Sequence, residues 1–275
     1  MYCSRMSAEE EVYTHGHDPV VIAAHAKRTA SEAAAFLLPR LTPGIHLLDF
    51  GCGPGSITAG LADHIGPGGS VVGIDNSAET VALATESVGH RPNLSFETAS
   101  VYELPFAAET FDAAYGHQVL QHLLDPISAL REVKRVLKPG GVIGVRDADY
   151  GTMTHHPTCP SLETWLHVYH TVARANGGEP DAGRRLPQWV RAAGFVEASV
   201  TSSVWTYASS AERQSWARLW ASRIMLPVFA ERAVALGICE HIELAGVASG
   251  WHRWADEPDG WFAFIHGEVV ATKPA

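Results

Sequence analysis

Cysteine is scarce: Cys3, Cys52, Cys159 and Cys239 are the four in 275 residues, and no two form a C-x-x-C pair. Cysteines so scattered predict reduced thiols and a cytoplasmic protein, not a disulfide scaffold. Basic residues are outnumbered, 20 Lys and Arg against 30 Asp and Glu, for a net charge of −10. That balance argues against broad binding to nucleic acid or an anionic membrane, since both need a basic face. No run of about 18 apolar residues occurs, so no membrane-spanning helix is expected. The polar, acidic residues 1–11 lack the basic start and apolar centre of a signal peptide, and none is expected. The 15 histidines include no H-E-x-x-H spacing, and no metal site is expected. What remains is a chain with 46% hydrophobic and only 18% charged residues. It can bury a sizeable core, as one large domain or one domain with an elaborated second half.

The stretch Leu47-Leu48-Asp49-Phe50-Gly51-Cys52-Gly53-Pro54-Gly55 organises the chain. An apolar run meets an acid, then glycines at every second position, then the helix opening Ser56-Ile57-Thr58. The pattern predicts a buried strand, a tight turn and a helix whose N-terminus faces a ligand. Glycine lets the backbone approach that ligand and adopt positive φ without strain. Asp75 closes the next apolar run, Val71-Val72-Gly73-Ile74, twenty positions after Gly55. An acid at the tip of the second strand is where nucleotide-binding α/β folds grip ribose hydroxyls.

Taken in order, Asp18-Pro19 predicts a helix start, with the helix running from Val20 to Leu38 before Pro39. Strands are expected at Leu47–Phe50, Ser70–Ile74, Leu94–Thr98, Phe111–Tyr115 and Val142–Asp147. Helices are expected between them, including Gln118–Leu124 and Ile127–Leu137. This alternation predicts a parallel sheet covered on both faces. Beyond Asp149 the character changes, and all eight tryptophans stand at or after Trp165. There, helices over Ser161–Asn176, Leu186–Ala193 and Glu240–Trp254 join a capping-box helix from Ser209 that carries Trp216, Trp220 and Ile224. Strands at Val196–Tyr207 and Trp261–Lys273 complete the set.

Leu48–Gly55, Gly73-Ile74-Asp75, Leu104-Pro105-Phe106 with Phe111-Asp112, Val119–Pro126 and Leu137-Lys138-Pro139-Gly140-Gly141 together resemble a class I S-adenosylmethionine-dependent methyltransferase. The resemblance covers about residues 45–147. It is nearest to the branch named for ubiquinone and menaquinone methylation, which also holds natural-product methyltransferases. The ligand logic agrees, because a dinucleotide loop would carry Gly or Ala where Ser56 stands. The resemblance implies a Rossmann-like seven-stranded α/β sheet, mostly parallel with an antiparallel last strand, and a helical cap in the C-terminal half. It divides the chain into an arm and helix over the cofactor (1–40), an S-adenosylmethionine-binding core (41–150), and remaining core strands with a substrate cap (151–275).

By the same resemblance Gly51 and Gly53 line the methionine and ribose, and Asp49 orders the loop. Asp75 accepts the ribose hydroxyls, and Asn76 lies beside adenine. Ser100 stands where the family commonly has Asp, so only a weaker bond to the adenine amino group is expected, with the Val101 N–H facing the ring. His117-Gln118 follows the fourth strand at the ligand end of the sheet. The His117 carbonyl is expected on the cofactor ammonium, with its imidazole orienting substrate or serving as general base. His122 is the second candidate catalytic side chain, although it reads more readily as structural or cofactor-side. From the arm, Tyr13 and His17 are expected to close the site, with Arg28 meeting a carboxylate. His155, His156 and His170 open the cap and are weaker candidates to face substrate. Two or three tryptophans, Trp216 and Trp220 first, are candidates to line an apolar acceptor pocket.

The function these residues predict is methyl transfer to a small, largely apolar acceptor, quinone-like or polyketide, at carbon or oxygen, in secondary metabolism. No nucleic-acid partner or membrane insertion is expected, and the protein should be a monomer or homodimer. Two alternatives stay open: non-methyl chemistry such as cyclisation in the same pocket, and a non-catalytic cofactor-binding relative. A dehydrogenase is more remote.

Overall fold

The structure, a computed structural model, describes residue 14 and residues 19–275, with side chains from residue 21 onward in the latter. In chain order the elements are α1 (Pro19–His25), α2 (Ala30–Ala33), β1 (His46–Phe50), α3 (Ser56–Ile65), β2 (Ser70–Asp75), α4 (Ala78–Val88), β3 (Leu94–Thr98), β4 (Phe111–His117), α5 (Pro126–Val136) and β5 (Leu137–His156). The second half adds α6 (Pro160–Ala175), α7 (Leu186–Ala192), β6 (Val196–Tyr207), α8 (Ser210–Arg223), α9 (Pro227–Ala235), α10 (His241–Asp256) and β7 (Trp261–Thr272).

One seven-stranded sheet has the order β3-β2-β1-β4-β5-β7-β6. The first five strands pair in parallel, and β7 runs antiparallel to both β5 and β6. The chain starts in the middle, at β1, and reverses direction between β1 and β4, so the carboxyl ends of β1 and β4 flank the switch point where open α/β sheets bind ligands. The central strands are apolar on both faces because helices cover both. Leu48, Phe50, Ile143 and Val145 pack towards α5 and α7, whereas Leu47, Val71, Ala113 and Tyr115 pack towards α2 and α3. The cap has its own core of Trp165, Trp216, Trp220, Trp251, Trp254, Phe262 and Phe264. Its rings meet mostly edge to face, as between Trp165 and Trp220 at 4.5 Å, the arrangement the aromatic quadrupole favours.

Several expected elements differ in extent. The long first helix is two short pieces: Thr29 adopts an extended conformation and donates its hydroxyl to Glu32 at 2.9 Å, restarting the helix at Ala30. Ala30 can then lie against α3 at Gly60, where an added Cβ would come within 2.8 Å of it. The expected helix over Gln118–Leu124 is one 3₁₀ turn, Leu120–His122. Gln118 has a left-handed φ of 54°, and the Gln121 N–H is drawn to the Asp147 carboxylate at 3.2 Å, so neither fits an α-helical ladder. β5 extends to His156 because β7 pairs along its length, with an irregularity between Asp149 and Thr154. α9 was not anticipated; Pro227 starts it, and Phe229, Ala230 and Ala233 bury its inner face.

Candidate functional site

The glycine loop leaves β1 at Phe50 with Gly51, Gly53 and Gly55 all at positive φ, 70°, 53° and 79°. Two of them also lack room for a side chain: a Cβ on Gly51 would lie 2.3 Å from Val119, and one on Gly55 would lie 2.6 Å from Phe96. A Cβ on Gly53 would meet no protein atom within 4 Å, because Gly53 borders open space. That space is a cleft of about 1310 Å³ bordered by the loop, the end of β2, the segment Ala99–Tyr102, and the end of β4.

Asp75, at the tip of β2, accepts the Gly53 N–H at Oδ2 and the Ser77 N–H at Oδ1, both at 3.1 Å. Ser77 in turn caps α4 by accepting the Thr80 N–H. The ribose-type acid is thus fixed to the glycine loop and to the next helix together. Asp49 is 2% exposed and accepts the Thr58 hydroxyl at 2.7 Å. Burial, opposed by that hydrogen bond and aided by the charge of Asp75, pushes its carboxyl up to about 7. No cation pairs with it among the described residues. A half-protonated carboxyl bordering the cleft suits a ligand that brings positive charge.

The far wall is built by His117 and Gln118. His117 is buried, and its Nδ1 lies 3.4 Å from Arg146 Nη1. Arginine can only donate, so Nδ1 is the acceptor and the ring proton sits on Nε2. Nε2 is buried and has no hydrogen-bond partner among the described residues. Burial, with Arg28 and Arg146 nearby, holds His117 well below the usual histidine range. A neutral ring offering an N–H is suited to orient a ligand oxygen and poorly suited to be a general base. Arg146, fully buried, is neutralised by Glu268 at 3.2 Å and Ser203 at 2.9 Å and stacks over Trp205 at 5.0 Å. His122 is likewise neutral, held down to about 3 by burial and by Arg223 and Arg28. Its Nε2 accepts from the Gln121 amide at 2.9 Å.

A second cavity, of about 1770 Å³, adjoins the first, and Gln118 and Arg28 border both. Its walls are Tyr150, Trp205, Tyr207, Trp216 and Phe264. Gln118 is held at the junction by its amide on His266 Nε2 at 2.8 Å.

Asp49, Gly51, Gly53, Asp75, Asn76, Ser100, Val101, His117, Gln118 and His122 all border the first cleft. Tyr13 and His17 lie outside the described residues. Ser100 is committed locally, its hydroxyl accepting the Tyr102 N–H at 3.2 Å. His170 pairs with Asp181 at 2.8 Å, His155 accepts the Cys159 N–H, and neither these two nor His156 reaches a cleft. Trp220 belongs to the cap core, and Trp205 takes the wall position expected for it. His25, Trp205, Arg223 and His266 were missed. His25 and Arg223 stand on helices whose inner faces read only as apolar, and Trp205 and His266 sit on strands that pair late in the chain.

Among the described residues, no three His, Cys, Asp or Glu side chains come together as a metal cluster, and no helix is long and apolar enough to cross a membrane. Residues 48–145 match a family described as a methyltransferase domain. An uncharacterized methyltransferase of Schizosaccharomyces pombe is 33% identical over 95% of this chain and 96% of its own length. A 2-phytyl-1,4-naphtoquinone methyltransferase of Thermosynechococcus vestitus is 33% identical over 47% of this chain and 55% of its own. Among solved structures, a phosphoethanolamine N-methyltransferase of Haemonchus contortus, in complex with phosphomonomethylethanolamine and S-adenosylhomocysteine, superposes with a TM-score of 0.54. It is 19% identical and covers 88% of this chain and 52% of its own.

Proposed function

The chain belongs to the class I S-adenosylmethionine-dependent methyltransferases, and from that footing we propose that it methylates a small, flat, largely apolar acceptor held in the aromatic-walled cavity. S-adenosylmethionine is the cofactor and supplies a methyl group activated by its attachment to a sulfonium sulfur. The buried Asp49 carboxylate, with a hydroxyl donor and no cation beside it, fits a ligand carrying an ammonium and a sulfonium. We assign Gly51 and Gly53 to close backbone contact and Asp75 to the ribose hydroxyls. Asn76, Ser100 and Val101 border adenine, and His117 and Gln118 lie at the methionine end. We assign residues 1–40, with Tyr13 and His17, to an arm and helix over the cofactor. The core spans residues 41–150, and the cap lies in 151–275.

The observation that carries this reading is the meeting of the two cavities at Gln118 and Arg28. Gln118 and Arg28 border both cavities, so an acceptor lying against Trp205 and Tyr207 would meet the cofactor beside them. The chain's part in the chemistry is orientation, on the order of several kcal/mol when two reactants are held together. We assign the neutral His117 ring, which borders the cofactor cleft beside Gln118, to orienting the acceptor where the two partners meet. The acceptor gives up its own proton to solvent water, and the cations that border the cavity favour the ionised nucleophile without a protein base. His122 stays on the cofactor side.

Quinone-like and polyketide phenols suit the walls, with carbon or oxygen as the methylated atom. We place the protein in the cytoplasm, in secondary metabolism, as a monomer or homodimer without a nucleic-acid partner. Support comes from the acidic charge and from the free thiols of Cys52, Cys159 and Cys239. The test is transfer of a labelled methyl group to a panel of hydroxyquinones and polyketide phenols, with S-adenosylhomocysteine counted. One equivalent per methylated product is expected. Product with the cofactor intact would move the chain to non-methyl chemistry such as cyclisation, and cofactor binding without product would make it a binding relative.

A further inference from the structure

Among the described residues three guanidiniums are buried, and one of them is treated differently. Arg146 has Glu268 and Ser203. Arg213 donates to the carbonyls of Ala208, Ala255 and Gly260. Arg223, the last residue of α8, is 5% exposed, and no carboxylate pairs with it among the described residues. Its Nη2 donates to His25 Nε2 at 3.1 Å, its plane lies over Trp220 at 5.1 Å, and its buried Nε has no hydrogen-bond partner among the described residues. A buried charge left uncompensated is costly, and folds retain one where a ligand completes it.

Arg223 borders the second cavity and not the cofactor cleft. The same cavity is bordered by Lys27, Arg28 and Arg218, against a single acid, Glu32, whose carboxylate is engaged by the Thr29 hydroxyl. This chain carries a net charge of −10, so four cations around one cavity reverse the sign of the whole. The field reaches the aromatic walls: burial raises the Tyr150 and Tyr207 hydroxyls, while Arg223 and Arg28 both pull them back. Arg28 also faces the cofactor cleft, where a methionyl carboxylate could occupy it; Arg223 has no such alternative.

We propose that the acceptor is an aromatic carboxylic acid, its ring against Trp205 and the stacked Tyr207–Trp216 pair and its carboxylate on Arg223, leaving the nucleophilic edge towards Gln118. The proposal rests on the second cavity being the acceptor chamber. A guanidinium gives a carboxylate charge-assisted N–H donors held in a plane, which supplies orientation as well as affinity. The carboxylate is thus the handle that selects among flat phenols that the aromatic walls alone would accept alike.

The probes are hydroxynaphthoate and naphthol, titrated by tryptophan fluorescence into the protein saturated with S-adenosylhomocysteine, then offered with S-adenosylmethionine. The intact protein should bind hydroxynaphthoate about tenfold to a hundredfold more tightly than naphthol, the range for a charge-assisted pair. Arg223→Met should bring the two within about threefold of each other, and Arg223→Lys should keep part of the preference, because charge survives without the fork. Arg218→Ala, at the exposed rim, should change the preference by less than about threefold. Equal binding of the two probes by the intact protein, naphthol entering as phenol or phenolate, overturns the proposal. So does an undiminished preference in Arg223→Met or Arg223→Lys. Carboxylate preference without methyl transfer would keep the Arg223 site and sink the methyl-acceptor reading. Methyl transfer to naphthol without carboxylate preference would do the reverse.

Discussion

Asp49 makes cofactor binding a proton-linked event. Its carboxyl titrates near 7 in the free protein because burial outweighs the Thr58 hydrogen bond. A ligand bringing an ammonium and a sulfonium selects the ionised form, so binding at pH 7 should release about half a proton, rising towards one by about pH 5.5 and vanishing near pH 8.5. The apparent Kd should rise about tenfold from its plateau by pH 6 and about a hundredfold by pH 5. The window below pH 7 isolates this group. His117 and His122 are held neutral there, and the cofactor's amino group, of the ordinary α-amino kind, stays charged. Calorimetry of S-adenosylmethionine binding in two buffers of different ionisation heat, at pH 6 and pH 8, reads the proton count directly. Stability moves the other way. Between the unfolded value of 3.8 and the folded value near 7 the native state holds the extra proton, so the ligand-free protein loses stability as pH rises through that window. Asp49→Asn should therefore stabilise the ligand-free protein at pH 8, remove the proton release and weaken cofactor binding. No proton release at pH 6, or a Kd that is flat between pH 8 and pH 5.5, would refute the assignment of Asp49 to the cofactor's charge.

The remaining predictions concern the same cleft. Asp75→Ala should weaken S-adenosylmethionine binding by roughly 1–3 kcal/mol, since it removes the ribose acceptor and frees the Gly53 and Ser77 N–H groups; unchanged calorimetric affinity would sink that role. His117→Ala should lower the rate of methyl transfer more than cofactor affinity, and a rate that follows affinity alone would leave His117 a cofactor residue. If His117 is a donor and not a base, the pH–rate profile should show no limb near 6.5 that disappears in that variant. Gly51→Ala should cost about 1–3 kcal/mol of stability, visible as a lowered Tm, because its Cβ meets Val119 at 2.3 Å on a backbone with φ of 70°.

How legible the molecule was in its sequence depended on how local the signal is. Strands β3 and β6 and the capping box at Ser209 are written within a few residues, and each lies where period and capping place it. The first helix misled because its apolar spacing continues through Arg28, while the break comes from Thr29 and from Ala30 seating against Gly60. The turn at Leu120–His122 looked helical because nothing local announces that Asp147 will take the Gln121 N–H from 26 residues away. The cofactor cleft was legible because the glycine loop and Asp75 are constrained by backbone geometry. The acceptor cavity was not, since Trp205, Arg223 and His25 meet only after β6, α8 and α1 have packed.

The two cavities have opposite polarity, and that follows from where each charge is buried. Asp49 and Asp75 give the cofactor cleft its negative side, and they sit on β1 and β2, the first two strands in chain order. The cations Lys27, Arg28, Arg218 and Arg223 come from the segment after α1 and from α8. A cationic methyl donor is favoured in the first and an anionic acceptor in the second. Gln118, neutral, stands at their junction with a left-handed backbone conformation and a hydrogen bond donated to His266 that holds it. Replacing Gln118 by Glu should therefore damage transfer more than it damages binding of either partner alone, because a carboxylate at the junction repels the acceptor's nucleophile where donor and acceptor must meet. Separate titrations of S-adenosylhomocysteine and hydroxynaphthoate, set beside single-turnover rates, check this. A loss confined to cofactor affinity would place Gln118 wholly in the first cleft and break the argument from the junction.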